Sequence, residues 1–188
     1  MLTQRVQVSI LAMSLFAPAL LADDVPPFRR ELLNPLNSAE QELLALAKAI
    51  PAEKYSWRPG KGVRSVGEVY QHIANGNNLI LTFTAEKPLD RQALTQMIQD
   101  NAKLEQTVTG KDQIIANMKE SFERARAVIL KASQTDLDRA VKLFGSDVTL
   151  RGVLITIGNH SHEHLGQSIA YARMLGIVPP WSRGEGSQ

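Results

Sequence analysis

The sequence predicts an all-α protein, a four-helix bundle, and three observations favour this fold class. Apolar residues recur at helical spacing in four segments of the chain. Two of these segments open with a serine followed three residues later by Glu or Gln, which is the capping-box pattern of a helix start. Pro and Gly residues separate the segments. No segment has a convincing strand pattern. We expect one domain over residues 23–183, with residues 184–188 as a short tail.

Residues 1–22 have the layout of a secretory signal peptide. A basic Arg5 precedes an uncharged, mostly apolar run that ends in small residues. That run is about 16 residues long and contains Pro18, whereas a membrane span needs about 20 apolar residues. We therefore expect cleavage after Ala22, or alternatively after Ala19, and an exported protein that is periplasmic or secreted and has no stable membrane span. An uncleaved membrane anchor is the alternative.

The first helix is predicted to begin at Ser38, because Ser38 and Gln41 form a capping box. Residues 23–37 form a lead-in with several prolines. Any helix within it should be interrupted near Pro35, since proline lacks the backbone N–H that a helix interior uses. Apolar residues then follow at helical spacing until Pro51 stops the helix.

The second helix opens with another capping box, formed by Ser65 and Glu68, and Pro88 closes the segment. Apolar residues recur at helical spacing between these two signals. Residues 89–110 have a weaker pattern, and we expect a long excursion there with at most one short helix.

The third helix has the clearest apolar stripe, which runs from Ile114 to Ala132. A loop over residues 134–148 follows, and its stretch AVKLFGSDV is able to form local extended structure. Thr149 is then the predicted N-cap of the fourth helix. That helix should end at Gly176, since glycine favours the left-handed conformation of a helix end.

Three of the four histidines lie in the fourth helix, and helical geometry separates them into two groups. With Leu150 at zero and about 100° per residue, the apolar stripe falls between roughly 300° and 40°. His160 then lies near roughly 280° and His164 near roughly 320°, whereas His162 lies near roughly 120°. We expect His160 and His164, one helical turn apart, to face the interior together and His162 to face solvent.

His72 is the fourth histidine, and it lies on the flank of the second helix's apolar stripe. It can therefore face the bundle interior as well. Three imidazoles from two helices, without thiols, fit a metal ion that keeps an open coordination position. Histidines that only form hydrogen bonds in the core are the alternative. A zincin H-E-x-x-H motif is excluded, because residue 166 is glycine.

The composition excludes several classes of site and partner. The chain has no cysteine, which excludes disulfides, thiolate ligands and cysteine nucleophiles. Its net charge is +2, and it falls to +1 when the first 22 residues are removed. A charge this balanced gives no basis for a nucleic-acid partner.

Two stretches of the chain resemble the DinB/YfiT-like superfamily, and the match runs from about Phe28 to Ser182. The stretch IPAEKYSWRPGKGVRSVGEVYQHIA is similar to the family's passage into its second helix, with a Trp-x-Pro element and a metal histidine. The stretch HSHEHLGQSIAYARMLGIVPPWS is similar to its fourth helix, with H-x-x-x-H, a Gly-Gln pair and a Pro-Pro exit. The resemblance implies a four-helix bundle with up-down-down-up connectivity.

The resemblance also implies a divalent metal ion held by His72, His160 and His164. Zinc and nickel are the first expectations, with iron and manganese as alternatives. It implies a metalloenzyme with a small-molecule substrate, either a transferase of the thiol S-transferase type or a metal-dependent hydrolase. The alternative is a non-catalytic metal-binding protein of the envelope or of a stress response, in which the ion is structural. Whether the chain forms a homodimer is left open.

Gln167 and Glu163 are the candidate catalytic residues. Gln167 lies near roughly 260° on the same helical wheel, beside His160. There its amide can reach water or substrate, or it can form a hydrogen bond within the bundle. Glu163 is the weaker candidate for a general base, because it lies near roughly 220° and toward solvent. The asparagines that follow His72 are interpreted as polar surface residues, with a position at the mouth of the pocket as the alternative: Asn75, Asn77 and Asn78.

Overall fold

The structure is a computed structural model that describes residues 25–182. The predicted signal peptide, its two candidate cleavage sites and the tail lie outside the described residues. Among the residues that the structure describes, no helix is long and apolar enough to cross a membrane.

The regular elements of the described chain are mostly helical. They are α1 (Pro27–Ala49), α2 (Val66–Leu81), α3 (Arg91–Thr107), α4 (Lys111–Lys131), α5 (Gln134–Leu137), strands β1 (Ala140–Leu143) and β2 (Ser146–Thr149), and α6 (Leu150–Met174).

Helices α1, α2, α4 and α6 form the predicted four-helix bundle. Both α1 and α2 pack against α4 and α6, so α1 and α2 lie diagonally across the bundle. Fully buried apolar side chains from all four helices fill its centre, and each contributes about 1.5–3 kcal/mol to the free energy of unfolding. Examples are Leu43, Ile73, Phe122 and Ile157.

Hydrogen bonds between the helices give their directions. The Lys111 ammonium at the start of α4 donates to carbonyl groups at the end of α1, so these two helices are antiparallel. Gln71 is bonded to Asn117 and, further along both helices, Asn77 to Ser121, so α2 and α4 are parallel. Tyr171 near the end of α6 contacts Arg64, which precedes α2, so α6 is antiparallel to α2. The connectivity is therefore up-down-down-up, as expected.

Helix α3 makes this connectivity feasible, because two consecutive parallel helices need a return path along the bundle. The expectation of at most one short helix over residues 89–110 was wrong, since α3 has 17 residues. Asp90 caps it by accepting a hydrogen bond from the Ala93 N–H at 2.8 Å. None of its residues is fully buried, and it packs mainly on α2. Because α3 lies on the outside of the bundle and buries no residue fully, its sequence lacks the continuous apolar stripe that marks a bundle helix.

Helix α1 begins earlier than predicted, and Pro35 lies inside it. The predicted capping box at Ser38 is wrong, because Ser38 lies within the helix and donates its hydroxyl hydrogen to Glu42. An interior proline costs about 3 kcal/mol. Buried leucines on both sides of it, including Leu33 and Leu36, contribute about 1.5–3 kcal/mol each and outweigh that cost.

The predicted start of α2 is confirmed. The Ser65 hydroxyl accepts from the Glu68 N–H, and the Glu68 carboxylate accepts from the Ser65 N–H, so both halves of the capping box are present. The helix ends at Leu81, before Pro88, and a short 3₁₀ turn over residues 82–84 follows it.

The segment before α6 contains more structure than the predicted loop. It holds the short helix α5 and an antiparallel hairpin in which Val141 pairs with Val148. The stretch AVKLFGSDV, for which local extended structure was expected, forms this hairpin. Thr149 caps α6, since its hydroxyl accepts from the Gly152 N–H. Gly176 follows the helix end with a φ of 75°, a left-handed conformation that glycine adopts without strain.

Candidate metal centre

Helices α2 and α6 bring His72, His160 and His164 together. The ring centroid of His164 lies 4.7 Å from each of the other two, and those of His72 and His160 are 5.3 Å apart. One nitrogen of each ring lies within 4.8 Å of the others, and the Nε2 atoms of His72 and His160 are 3.5 Å apart. Two nitrogens bound to one tetrahedral zinc ion are roughly 3.4 Å apart, so this spacing suits a shared ion.

The Nδ1 atom of each of these rings already has an oxygen partner. It lies 2.7 Å from Glu105 Oε1 in His72, 3.3 Å from Asn77 Oδ1 in His160, and 2.8 Å from Gln167 Oε1 in His164. Each oxygen accepts a hydrogen bond, so each Nδ1 carries the proton. The unprotonated nitrogen of every ring is therefore Nε2, which is the atom left for a metal ion.

The two histidines of α6 have lowered pKa values. Burial, with smaller contributions from His164 and His72, lowers the pKa of His160 to about 3. Burial also lowers the pKa of His164, although the hydrogen bond with Gln167 opposes this effect. Both rings are therefore neutral at pH 7, which is the form that binds a metal ion.

Gly76 gives the His160 ring its space. It lies one helical turn after His72 on α2, so it faces the same side of the bundle. A Cβ atom at this position would lie 2.3 Å from Cε1 of His160 and 2.6 Å from its Nε2. Any larger residue at position 76 would therefore push the His160 ring out of the cluster.

A model of the DinB superfamily matches residues 36–168, a range that includes most of the bundle and all three clustered histidines. The chain belongs to the DinB superfamily. No curated protein matches it.

Solved structures of DinB-like proteins share the fold of this DinB-superfamily chain. A DinB-like protein from Bacillus cereus ATCC 10987 is 19% identical, with a TM-score of 0.61 over 79% of this chain and 93% of that chain. YfiT from Bacillus subtilis is 18% identical, with a TM-score of 0.60 over 80% of this chain and 89% of that chain. YfiT is described as a probable metal-dependent hydrolase with an unusual four-helix bundle topology.

A third structure with this fold is the colibactin self-resistance protein ClbS, solved in complex with double-stranded DNA. It is 17% identical, with a TM-score of 0.58 over 80% of this chain and 96% of that chain. Identities this low show a common fold and not a common ligand.

Glu105 contacts the histidine cluster, and the sequence did not reveal this role. Its side chain reaches His72 from α3, and its second oxygen accepts from Arg64 Nε at 2.7 Å. Burial raises the pKa of the Glu105 carboxyl, but the hydrogen bonds from His72 and Arg64 outweigh burial and hold that pKa below its usual value. Glu105 is therefore ionised at pH 7. No sequence signal was available, because the pairing depends on how α3 docks on α2.

Asn77 holds His160 from within the bundle. Its side-chain N–H donates to Ser121 Oγ at 3.2 Å, which turns its oxygen toward His160. The interpretation of Asn75 and Asn77 as surface residues was wrong, since both are buried. Their amide groups form hydrogen bonds there, which offsets the cost of burying them.

The candidate catalytic residues of α6 lie in different surroundings. Gln167 accepts from His164 and donates to the Tyr171 hydroxyl at 3.1 Å, and that hydroxyl donates to the Arg64 carbonyl at 3.2 Å. Its amide oxygen is therefore directed at His164 instead of at a substrate. Glu163 is exposed and makes no hydrogen bond within residues 25–182.

His162 is exposed, as the helical wheel predicts, and its Nδ1 lies 2.9 Å from the Gly158 carbonyl oxygen of its own helix. The histidines of the cluster are more buried than His162. His164 is 8% exposed, and the His72 side chain is 23% exposed. The His72 side chain is thus partly open to solvent.

The donor set fits a divalent transition metal. Three neutral imidazoles with their Nε2 atoms converging suit zinc, nickel, copper or iron better than magnesium or calcium, which prefer oxygen ligands. The three oxygen partners on Nδ1 are the outer contacts that orient metal-binding histidines in proteins. A histidine triad of this kind could bind a metal ion.

Proposed function

We propose that this DinB-superfamily chain binds one divalent metal ion through Nε2 of His72, His160 and His164, and that it is a metal-dependent hydrolase. Zinc or nickel is the proposed ion, because both accept three imidazoles in an open site. The observation that carries the proposal is the convergence of three rings whose Nδ1 atoms are all occupied by oxygen partners.

The residues of the centre have separate tasks in this proposal. His72, His160 and His164 would hold the ion, and three imidazole ligands would leave a position on it for water or substrate. A bound divalent ion supplies Lewis acidity, which polarises a substrate oxygen and lowers the pKa of a coordinated water to roughly 7. Glu105, Asn77 and Gln167 each fix one ring in the tautomer that binds metal. The carboxylate of Glu105 also fixes the orientation of the His72 ring.

We further propose that the chain is exported and that its substrate is a small molecule. The signal-like residues 1–22 support export. Outside the cytoplasm a low-molecular-weight thiol is scarce, which favours hydrolysis over thiol transfer. Mass spectrometry of the protein recovered outside the cytoplasm should find an N-terminus at Asp23, or at Leu20 after the alternative cleavage. An intact Met1 in that fraction would refute export with cleavage.

A small molecule is proposed in preference to DNA. ClbS is a family member with bound DNA. In this chain the net charge is +2, an excess of only two basic over acidic residues for phosphate contacts. A DNA-binding titration at low salt is the check, and affinity that falls steeply with added salt would contradict the proposal.

The decisive experiment examines the coordination position. The purified chain is loaded with Co²⁺ in place of the native ion, and its visible absorption is recorded before and after azide is added. An open site changes its spectrum as azide binds, with a saturable dependence on concentration. A spectrum that azide leaves unchanged would indicate an ion with no open coordination position and a structural role, and the enzymatic proposal would be abandoned.

A further inference from the structure

Arg64 connects the outer contacts of two of the clustered histidines. Its Nε donates to Glu105, which is bonded to His72, and its backbone carbonyl accepts from Tyr171, which is bonded through Gln167 to His164. These contacts fix the guanidinium group relative to the cluster. A ligand held by Arg64 would therefore have a defined position beside the metal centre.

The Arg64 guanidinium is only partly used by the protein. Its Nε has a partner, whereas Nη1 and Nη2 make no hydrogen bond with any of residues 25–182. The side chain is 42% exposed and lines an open groove of about 520 Å³. Arg58 lines the same groove, and its Nε likewise has no partner among the described residues.

Each carboxylate oxygen of this groove already has one hydrogen-bond donor within the protein. Both oxygens of Glu68 are occupied, by Arg58 and by the Ser65 N–H. Both oxygens of Glu105 are occupied, by His72 and Arg64. The two arginines of the groove thus keep spare N–H donors, and each of the two carboxylates is already paired with an arginine. Donors of this kind, on planar guanidinium groups, match the two oxygens of a carboxylate or phosphate.

We propose that Arg64, assisted by Arg58, binds an acidic group of the ligand, either a carboxylate or a phosphate, in the groove beside the histidine cluster. This inference rests on the proposed function and specifies its substrate class as an anionic small molecule. A neighbouring cavity of about 300 Å³ shares Arg58, Glu68 and Glu105 with the groove, but it lacks Arg64 and adds the exposed Glu53, so its charge is less favourable to an anion. The acidic group is therefore placed on the Arg64 side.

The test is an NMR titration of the zinc-loaded chain with inorganic phosphate and, separately, with acetate. We expect a saturable shift of the Arg64 Nε–H resonance, and the anion that binds more tightly identifies the acidic group. Arg64→Gln, in which binding is followed on the Arg58 Nε–H resonance of the same groove, should bind the anion roughly tenfold or more weakly, since hydrogen bonds between charged groups are the strong ones. Arg58→Gln should weaken it by a smaller factor, roughly two- to fivefold.

Two control variants separate this site from a general charge effect and from the metal. Arg124 is exposed and paired only with Glu120 on its own helix, so Arg124→Gln removes the same charge and should leave anion binding unchanged. His160→Ala removes a proposed metal ligand and should retain the Arg64-dependent shift. Zinc content is measured for every variant, so a failure of the metal proposal is seen independently of anion binding.

The proposal is overturned if neither anion shifts the Arg64 resonance, or if Arg124→Gln weakens binding as much as Arg64→Gln. It is also overturned if His160→Ala abolishes binding while Arg64→Gln preserves it, because the anion would then bind the ion alone. Should Arg64→Gln lose zinc through its contact with Glu105, Arg58→Gln and Arg64→Lys carry the test. Arg58→Gln should then still weaken binding, and Arg64→Lys, which keeps the charge but not the planar fork, should bind the anion more weakly than the unaltered chain and more tightly than Arg64→Gln.

Discussion

The Nδ1 atom of His72 lies 2.7 Å from Oε1 of Glu105, although the two residues belong to different helices and Glu105 is not itself a proposed ligand. The same carboxylate accepts from Arg64 at 2.7 Å, so it is held from two sides. A carboxylate in this position keeps the proton on Nδ1 and directs the lone pair of Nε2 into the cluster. The helix outside the bundle therefore contributes to the centre inside it.

Glu105→Gln should lower metal affinity about 10- to 100-fold, the usual effect of losing an outer carboxylate on a metal-bound histidine. The glutamine keeps the size of the side chain but loses its charge, so it is a weaker acceptor for His72. The measurement is competition with a chelator of known affinity, for zinc and for nickel.

Asp100→Asn is the matched control for this change. Asp100 lies on the same helix and is exposed, and its contact is with Gln96, away from the cluster. It should bind metal like the unaltered chain. Equal affinities for Glu105→Gln and the unaltered chain would mean that His72 does not depend on its carboxylate partner.

Gly76→Ala should remove the His160 ligand without unfolding the chain. The new methyl group would displace the His160 ring by about 1 Å, whereas metal–ligand distances tolerate only about 0.2 Å. We expect a folded protein with metal content as low as that of His160→Ala, measured by elemental analysis after gel filtration.

Gly166→Ala makes the same chemical change at an exposed position of α6 where a Cβ meets nothing within 4 Å. It should keep its metal and gain about 0.5–1 kcal/mol in the free energy of unfolding, because alanine favours a helix over glycine. If Gly76→Ala binds metal as well as Gly166→Ala does, then His160 has another position from which to bind, or it is not a ligand.

His162→Ala should leave metal stoichiometry unchanged, whereas His160→Ala should reduce it. Both residues lie on α6, but His162 is exposed and contacts only the backbone of its own helix. The measurement is the metal-to-protein ratio after loading with zinc and removal of the excess. A loss in His162→Ala that matches the loss in His160→Ala would show that the cluster is not the binding site.

The two cluster histidines of α6 could be predicted because the helical period alone decides which side of α6 faces the core, whereas His72 on α2 was placed by the resemblance to the family. His160 and His164 follow the apolar stripe and His162 does not, and no knowledge of the other helices was needed. Of the two predicted capping boxes, one marks a helix start and the other does not. The one at Ser65 marks a helix start, whereas Ser38 lies within a helix whose buried leucines outweigh the cost of Pro35.

Glu105 and Asn77 could not be predicted, because their roles depend on tertiary packing. Helix α3 docks on α2 partly through a reciprocal pair in which each amide of Asn75 and Asn101 donates to the other residue's backbone carbonyl. Polar contacts of this kind leave no periodic apolar pattern in a sequence. Asn77 resembles a surface residue by composition, and its hydrogen bonds with Ser121, His160 and Ser161 make its burial tolerable.

Removal of the ion should lower the melting temperature of the chain, because the cluster joins α2 to α6 and the ion binds only the folded state. At a free-metal concentration 100 times the dissociation constant, this linkage contributes about 2.7 kcal/mol. For a domain of this size that corresponds to a fall of roughly 5–10 °C on chelation. Differential scanning calorimetry with and without a chelator measures this fall.

Two variants serve as controls for the chelation experiment. His72→Ala removes the proposed ligand on α2, so its melting temperature should already be low and should barely respond to the chelator. His162→Ala should respond to the chelator like the unaltered chain. A chelator effect of the same size in His72→Ala and in the unaltered chain would mean that the ion stabilises the fold from a site other than this one.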